Sequence, residues 1–151
     1  MSATRYTHTN IIAHDWRTLA AFYIEVFGCE PTGPERDLSG AWVDALTGIP
    51  GAHVVGAHLR LPGSGSDGPT LEIFSYEPAA PGGPHAVNRY GFGHIAFAVD
   101  DVDAMLATVL ARGGTLLGQV VHKDYPELGL LTAVYARDPE GNILELQNWA
   151  R

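Results

Sequence analysis

Apolar and polar residues follow two rhythms along the chain, alternation and helical spacing. Residues 5–13 alternate and predict a strand. From Trp16 to Phe27 the apolar residues recur at helical spacing, which predicts an amphipathic helix. Asp15 is placed to cap the start of that helix, and Gly28 to end it. The chain therefore opens with a strand and then a helix.

The rest of the first half predicts about three strands. Alternation from His53 to Leu61 and an apolar run from Thr70 to Tyr76 predict two of them, separated by a turn rich in Gly, Pro and Ser at residues 62–69. Residues 29–50 are ambiguous, because prolines and a glycine interrupt one strand-like stretch and Ala41 to Leu46 gives another. The first half therefore predicts a strand, a helix and about three further strands.

The same order of elements returns after a stretch rich in Ala, Pro and Gly. Asp100 or Asp101 is the predicted N-cap of the second helix, which Gly113 and Gly114 end. The predicted elements are a strand over 92–99, a helix over 102–112, a strand over 115–121, a loop over 122–129, a strand over 130–137, a hairpin turn over 138–142 and a strand over 143–148.

Laying one half over the other tests this repeat. With His8 over His94, the next twenty-odd positions align without a gap, and Gly28 falls on Gly114. Two copies are too few for a solenoid, so we predict one duplicated domain with a shared site. The predicted boundaries are 1–151 for the domain, 5–77 for module one, 78–90 for the linker and 91–149 for module two.

Each copy carries one His and one Glu at matching positions. His8 and His94 open the first strands, and Glu72 and Glu145 lie inside apolar runs of the last strands. A carboxylate between large aliphatic residues is costly to bury unless a positive partner meets it. Two imidazoles and two carboxylates suit a divalent metal. We therefore predict that these four residues bind one divalent ion, which Zn, Ni, Co, Mn or Fe would satisfy.

Strand parity places other side chains on the face of these ligands. Alanines follow His94 on its side of the strand and leave room for a ligand. In the first module the same rule directs Asn10, His58 and Arg60 into the concavity. We predict that these three residues contact a substrate.

Composition narrows the class of protein. The 151 residues are 46% hydrophobic, enough for one ordinary core. A net charge of −8 without a Lys/Arg cluster argues against nucleic acid or an anionic membrane as partner. The single cysteine, Cys29, excludes an internal disulfide and fits a reducing compartment. With no membrane-length apolar run and no signal peptide, we expect a soluble cytoplasmic protein.

The duplicated unit resembles the vicinal oxygen chelate superfamily, the group of glyoxalases, bleomycin-resistance proteins and extradiol dioxygenases. The resemblance covers nearly the whole chain. It rests on the strand-opening histidines, on the helix run Ala21-Phe22-Tyr23 that leads to Phe27-Gly28, and on the segment from Asp138 to Leu146. It implies an α+β fold of two tandem βαβββ modules that form a curved, cup-shaped sheet around a divalent metal. In ligand pattern the chain is most similar to glyoxalase I.

The resemblance and the ligand set together imply a lyase or isomerase, of the glyoxalase I or epimerase type. The metal would act as a Lewis acid on a chelated carbonyl, and a glutamate would move the proton of the adjacent carbon. Glu145 and Glu72 are the two catalytic candidates, and the sequence does not rank them.

Two alternatives follow from the same family. One is a ring-cleaving dioxygenase with Fe(II) or Mn(II), which would need two His and one carboxylate. The other is a resistance protein that sequesters a small toxin or antibiotic without turnover. In every case the partner is a small molecule. A homodimer is expected, with the site formed either within one chain or by exchange of modules between two.

Overall fold

The chain folds into two compact units, Met1–Pro81 (unit 1) and Gly82–Arg151 (unit 2). The computed structural model describes residues 3–151, so the first two residues of the predicted domain lie outside the described residues. Unit 1 contains a four-stranded sheet with two helices, and unit 2 a five-stranded sheet with one helix. The predicted α+β class and the tandem repeat of modules are confirmed.

Unit 1 is a mixed sheet with two helices. Strand order is β1-β4-β3-β2, with β1 parallel to β4 and the other neighbours antiparallel. Its elements are β1 (His8–Ile12), α1 (Trp16–Phe27), β2 (Glu30–Leu38), α2 (Ala41–Thr47), β3 (His53–Arg60) and β4 (Thr70–Glu77).

Helix α1 has the bounds that its apolar spacing predicts. The Asp15 carboxylate accepts hydrogen bonds from the Thr18 hydroxyl and from the backbone N–H groups of Thr18 and Arg17, and these bonds lower the pKa of Asp15. Gly28 ends the helix in the left-handed region, at φ 70°.

The apolar face of α1 packs against β3 and β4, and the neighbouring Cys29 is only 1% exposed. Burial raises the pKa of the Cys29 thiol to about 11.

Helix α2 replaces a predicted strand. The expectation of a strand over Ala41 to Leu46 is wrong, because these residues form a seven-residue helix between β2 and β3. Val43 fixes the helix by packing in a small core with Ala52, Val54 and Phe74. Two turns are too few to display helical periodicity, so this tertiary contact decides the element.

Unit 2 repeats the arrangement around one helix. Strand order is β5-β9-β8-β6, and β7 also pairs with β8; β5 runs parallel to β9. Of the two proposed N-caps, Asp101 is the one that holds the helix, since its carboxylate accepts from the N–H of Ala104. The elements are β5 (Ile95–Ala98), α3 (Val102–Ala111), β6 (Thr115–Leu116), β7 (Val121–Tyr125), β8 (Gly129–Arg137) and β9 (Ile143–Ala150).

The segment after α3 differs from its prediction. The strand expected over 115–121 ends at Leu116, and the loop expected over 122–129 contains β7. All five residues of β7 are exposed, so no buried face creates an alternating pattern. The strand forms because its backbone pairs with β8, from Val121 opposite Ala133 to Tyr125 opposite Gly129.

The predicted turn over 138–142 is confirmed, and its sequence explains it. The buried Asp138 carboxylate accepts from the backbone N–H groups of Glu140 and Asn142 and from the Asn142 side chain. Gly141 has φ 89°, which favours glycine. The turn thereby sets the start of β9 two residues before Glu145.

Among residues 3–151, no helix has the length and apolar character that crossing a membrane requires.

Candidate functional site

The His–Glu pairs occupy the same register in both sheets. Opposite Glu72 on β4 lies Asn10 of β1, two residues after His8. Opposite Glu145 on β9 lies Ala96 of β5, two residues after His94. The duplicated sequence pattern is thus a duplicated strand geometry.

Three donors surround the carboxylate of Glu72 in unit 1. Nε2 of His8 lies 3.3 Å from Oε1, and Nε2 of His58 lies 2.8 Å from Oε2. The Asn10 side-chain amide donates to Oε1 at 3.1 Å. These contacts explain how the carboxylate of Glu72 is buried among large aliphatic residues.

His8, His58 and Glu72 form a cluster of side chains that could together bind a metal ion. One ligand atom from each lies within 4.8 Å of the others. Removal from water lowers the pKa of the His58 imidazole, the Glu72 carboxylate opposes that shift, and Arg36 and His8 add to it. A neutral imidazole is the form that binds a metal.

The second pair, in unit 2, has simpler surroundings. Nε2 of His94 lies 3.0 Å from Oε2 of Glu145, and this is the one polar contact of that carboxylate among the described residues. Tyr135, opposite Glu145 on β8, holds the position that His58 has in unit 1, and its ring lies 4.9 Å from that of His94.

A cavity of about 880 Å³ opens in unit 1 beside the His8–His58–Glu72 cluster. The polar cluster and Asn10 lie on one part of its wall, while apolar side chains and Arg36 supply the rest. The lining residues beyond the cluster are Ile12, Arg36, Leu38, Trp42, Leu46, Thr47, Ile49, Phe74, Tyr76 and residues 78–80.

Two of the three predicted substrate contacts line this cavity. Asn10 and His58 do so, and both also contact Glu72. Arg60 instead pairs with Glu30 at 3.1 Å and lines a separate depression of about 230 Å³ with Gly28 and Leu61.

Sequence reasoning missed the apolar wall and Arg36. Trp42 and Leu46 lie on α2, where the sequence pattern predicted a strand. Arg36 lies on β2, in the stretch that its prolines and glycine left ambiguous. The available signal was the longer spacing of His8 and Glu72, 64 positions, against 51 for His94 and Glu145.

Comparison with known proteins agrees with this architecture. The profile of the Glyoxalase/Bleomycin resistance protein/Dioxygenase superfamily matches residues 5–146. No relative was found among curated proteins.

Solved structures with the same fold come from several bacteria. A glyoxalase family protein from Bacillus cereus is 21% identical, with a TM-score of 0.76 over 100% of this chain and 96% of that one. A glyoxylase/bleomycin resistance protein/dioxygenase domain from Frankia is 17% identical, with a TM-score of 0.60 and coverage of 100% and 94%. A family enzyme from Burkholderia phytofirmans is 18% identical, with a TM-score of 0.60 and coverage of 95% and 98%. At these identities the likeness concerns the fold alone.

Proposed function

We propose a divalent-metal-dependent lyase or isomerase activity for this chain, which belongs to the glyoxalase, bleomycin-resistance protein and dioxygenase superfamily. The reaction would move a proton on the carbon next to a carbonyl of a small molecule. The observation that carries the proposal is the matched register of the two His–Glu pairs, His8 with Glu72 and His94 with Glu145. We propose that these four residues bind one divalent ion in a cytoplasmic homodimer.

The donor set fits such an ion. Imidazole nitrogens and carboxylate oxygens together accept Zn, Ni, Co, Mn or Fe. In each pair the nitrogen and the oxygen already lie 3.0–3.3 Å apart, so both can turn to one cation with small side-chain movements. When bound, the ion would supply Lewis acidity to a carbonyl oxygen.

The two glutamates are suited to different tasks. Glu72 is buried and held by His8, His58 and Asn10, so it is suited to a fixed role as a ligand. Glu145 is more exposed and contacts His94 alone among the described polar groups, so its carboxylate can swing toward a substrate carbon. We therefore assign the proton transfer to Glu145, with Glu72 as its support.

Metal content measured by elemental mass spectrometry tests the ligand set. We expect about one equivalent per chain in untagged protein, and its loss in Glu72→Ala and in His94→Ala. Glu127→Ala, at an exposed turn carboxylate, is the matched control and should keep the metal. Protein that takes up no ion, even after loading with each of the five metals, would contradict the proposal.

One observation favours a second function, a ring-cleaving dioxygenase. His8, His58 and Glu72 together form a set of two histidines and one carboxylate within unit 1. Such a set on Fe(II) leaves positions for a catecholate and O₂. The same metal measurement separates the two functions, because the dioxygenase site would lose iron in His58→Ala and keep it in His94→Ala. Oxygen consumption with catechols would then follow the same order.

A further inference from the structure

We infer that the cavity of unit 1 binds an amphipathic anion, with its acidic group at Arg36 and an apolar, ring-sized body against Trp42 and Leu46 of α2. The inference names the substrate class of the site and rests on the proposed function for the statement that the bound molecule reacts. Four sets of contacts carry it.

Arg36 is the cation of this cavity that no carboxylate neutralises. Among the described residues, no Asp or Glu lies within salt-bridge distance of its guanidinium, whereas Arg17 and Arg60 of the same unit are paired. One of its five N–H groups donates a hydrogen bond, to the carbonyl of Pro34. The others are free to meet a carboxylate, sulfonate or phosphate.

Glu72, the carboxylate of this cavity, does not occupy the guanidinium of Arg36. Glu72 is engaged by His8, His58 and Asn10. Arg36, Gly56 and Phe74 lie opposite one another on three neighbouring strands and form one row across the sheet. His58 and Glu72 belong to the next row on the same face. Adjacent rows on one face are about 6.8 Å apart. One ligand can therefore reach both the cluster and the guanidinium.

Helix α2 offers apolar surface to solvent at this cavity. Trp42 is 57% and Leu46 76% exposed, although Val43 of the same helix is buried. Large apolar groups that line a concave surface mark a binding site. Unit 2 has no helix between its β7 and β8, which a short turn joins, so this wall is special to unit 1.

Phe74 lines the cavity in the same row of the sheet as Arg36. A Cβ at Gly56 would lie 2.5 Å from the ring of Phe74 and 2.1 Å from the carbonyl of Ile73, so glycine is what allows the ring to lie against β3. Phe74 and the exposed Trp42 and Leu46 of α2 thus give the cavity apolar walls, which suit an aromatic or alicyclic body.

Two dyes with one aromatic body test the inference. 8-Anilino-1-naphthalenesulfonate carries the anion, and N-phenyl-1-naphthylamine lacks it. Binding is followed by fluorescence on protein stripped of metal with EDTA, so failure of the metal proposal and failure of this inference are distinguishable. We expect one saturable site per chain that prefers the sulfonate.

The variants assign the two halves of the ligand. Arg36→Gln should weaken the sulfonate about tenfold and leave the neutral dye unchanged, and Arg36→Lys should restore part of the loss. Trp42→Ala and Leu46→Ala should weaken both dyes. The controls Arg5→Gln and Leu128→Ala remove an exposed cation and an exposed leucine that do not line the cavity and should change neither affinity.

Two results would overturn the inference. One is sulfonate binding that Arg36→Gln and Trp42→Ala leave unchanged. The other is a dimer in size-exclusion chromatography that Trp42→Ala converts to a monomer, since α2 would then face a second copy of the chain. Thermal unfolding of each variant verifies that the substitutions leave the fold intact.

Discussion

Glu72 and Glu145 occupy the same position in two sheets, yet the side chains around them differ. In unit 1 the neighbouring strands place Asn10 and His58 beside the carboxylate, and both contact it. In unit 2 the same strand positions hold Ala96 and Tyr135. Duplication has kept the backbone register, while the side chains on that register have diverged.

The next row of each sheet diverges further. Unit 1 has Phe74, Gly56 and Arg36 across three strands, and these line or shape the cavity. Unit 2 has Gln147, Ala133 and Val121 at the equivalent positions. The cavity described above lies in unit 1, whereas the Glu145 carboxylate of unit 2 has fewer polar contacts than that of Glu72.

Exchanging each glutamate for glutamine gives the largest expected difference between the units. Glu145→Gln should lower the rate of deuterium exchange next to a substrate carbonyl by about 10²- to 10⁴-fold, because the proton-transfer group is lost, while the three remaining ligands His8, Glu72 and His94 keep the metal. Glu72→Gln should lose the metal itself, because a neutral amide would replace the anionic ligand that His8, His58 and Asn10 hold in place. Nuclear magnetic resonance in D₂O follows the exchange, and elemental mass spectrometry the metal. Metal loss in both variants, or full exchange activity in Glu145→Gln, would contradict the division of roles.

A single added methyl group tests the packing difference between the rows. Gly56→Ala should destabilise the protein by about 1–3 kcal/mol, because the new Cβ would meet the Ile73 carbonyl and the Phe74 ring. Unit 2 has alanine at the equivalent position 133, where Gln147 replaces the ring. Chemical denaturation measures the change. Gly82→Ala, at a glycine where an added Cβ would have no neighbouring atom within 4 Å, is the control and should stay within about 0.5 kcal/mol. Equal stability of the two variants would show that the Phe74 ring is not held as described.

The smallest effect concerns the residue after each helix-ending glycine. Cys29 of unit 1 is buried, and its thiol has a pKa of about 11, so it stays protonated at neutral pH. Thr115, the equivalent in unit 2, is exposed. At pH 8 the native protein should therefore leave a thiol-reactive disulfide reagent unconsumed, and Thr115→Cys should add one fast-reacting thiol. Rapid labelling of the unsubstituted native chain would mean that Cys29 is accessible.

Local sequence rules predict the repeat, the two capped helices α1 and α3, the turn that precedes β9, and which His and Glu residues pair. Each of these depends on local rules. The capping carboxylates of Asp15 and Asp101 accept hydrogen bonds from N–H groups only two or three residues further along the chain. Strand parity fixes the face of Glu72 and Glu145 once the strands are located.

The other elements depend on contacts between distant segments of the chain. Helix α2 forms because Val43 packs on Val54 and Phe74, and β7 forms because β8 supplies its hydrogen bonds. Such contacts join residues that are distant in sequence, so no periodicity within the segment announces them. The pairing of β2 with β3 likewise brings Arg36 opposite Gly56 at the cavity and Arg60 opposite Glu30. Cross-strand pairing, which sequence alone leaves open, therefore selected which polar residues share a site.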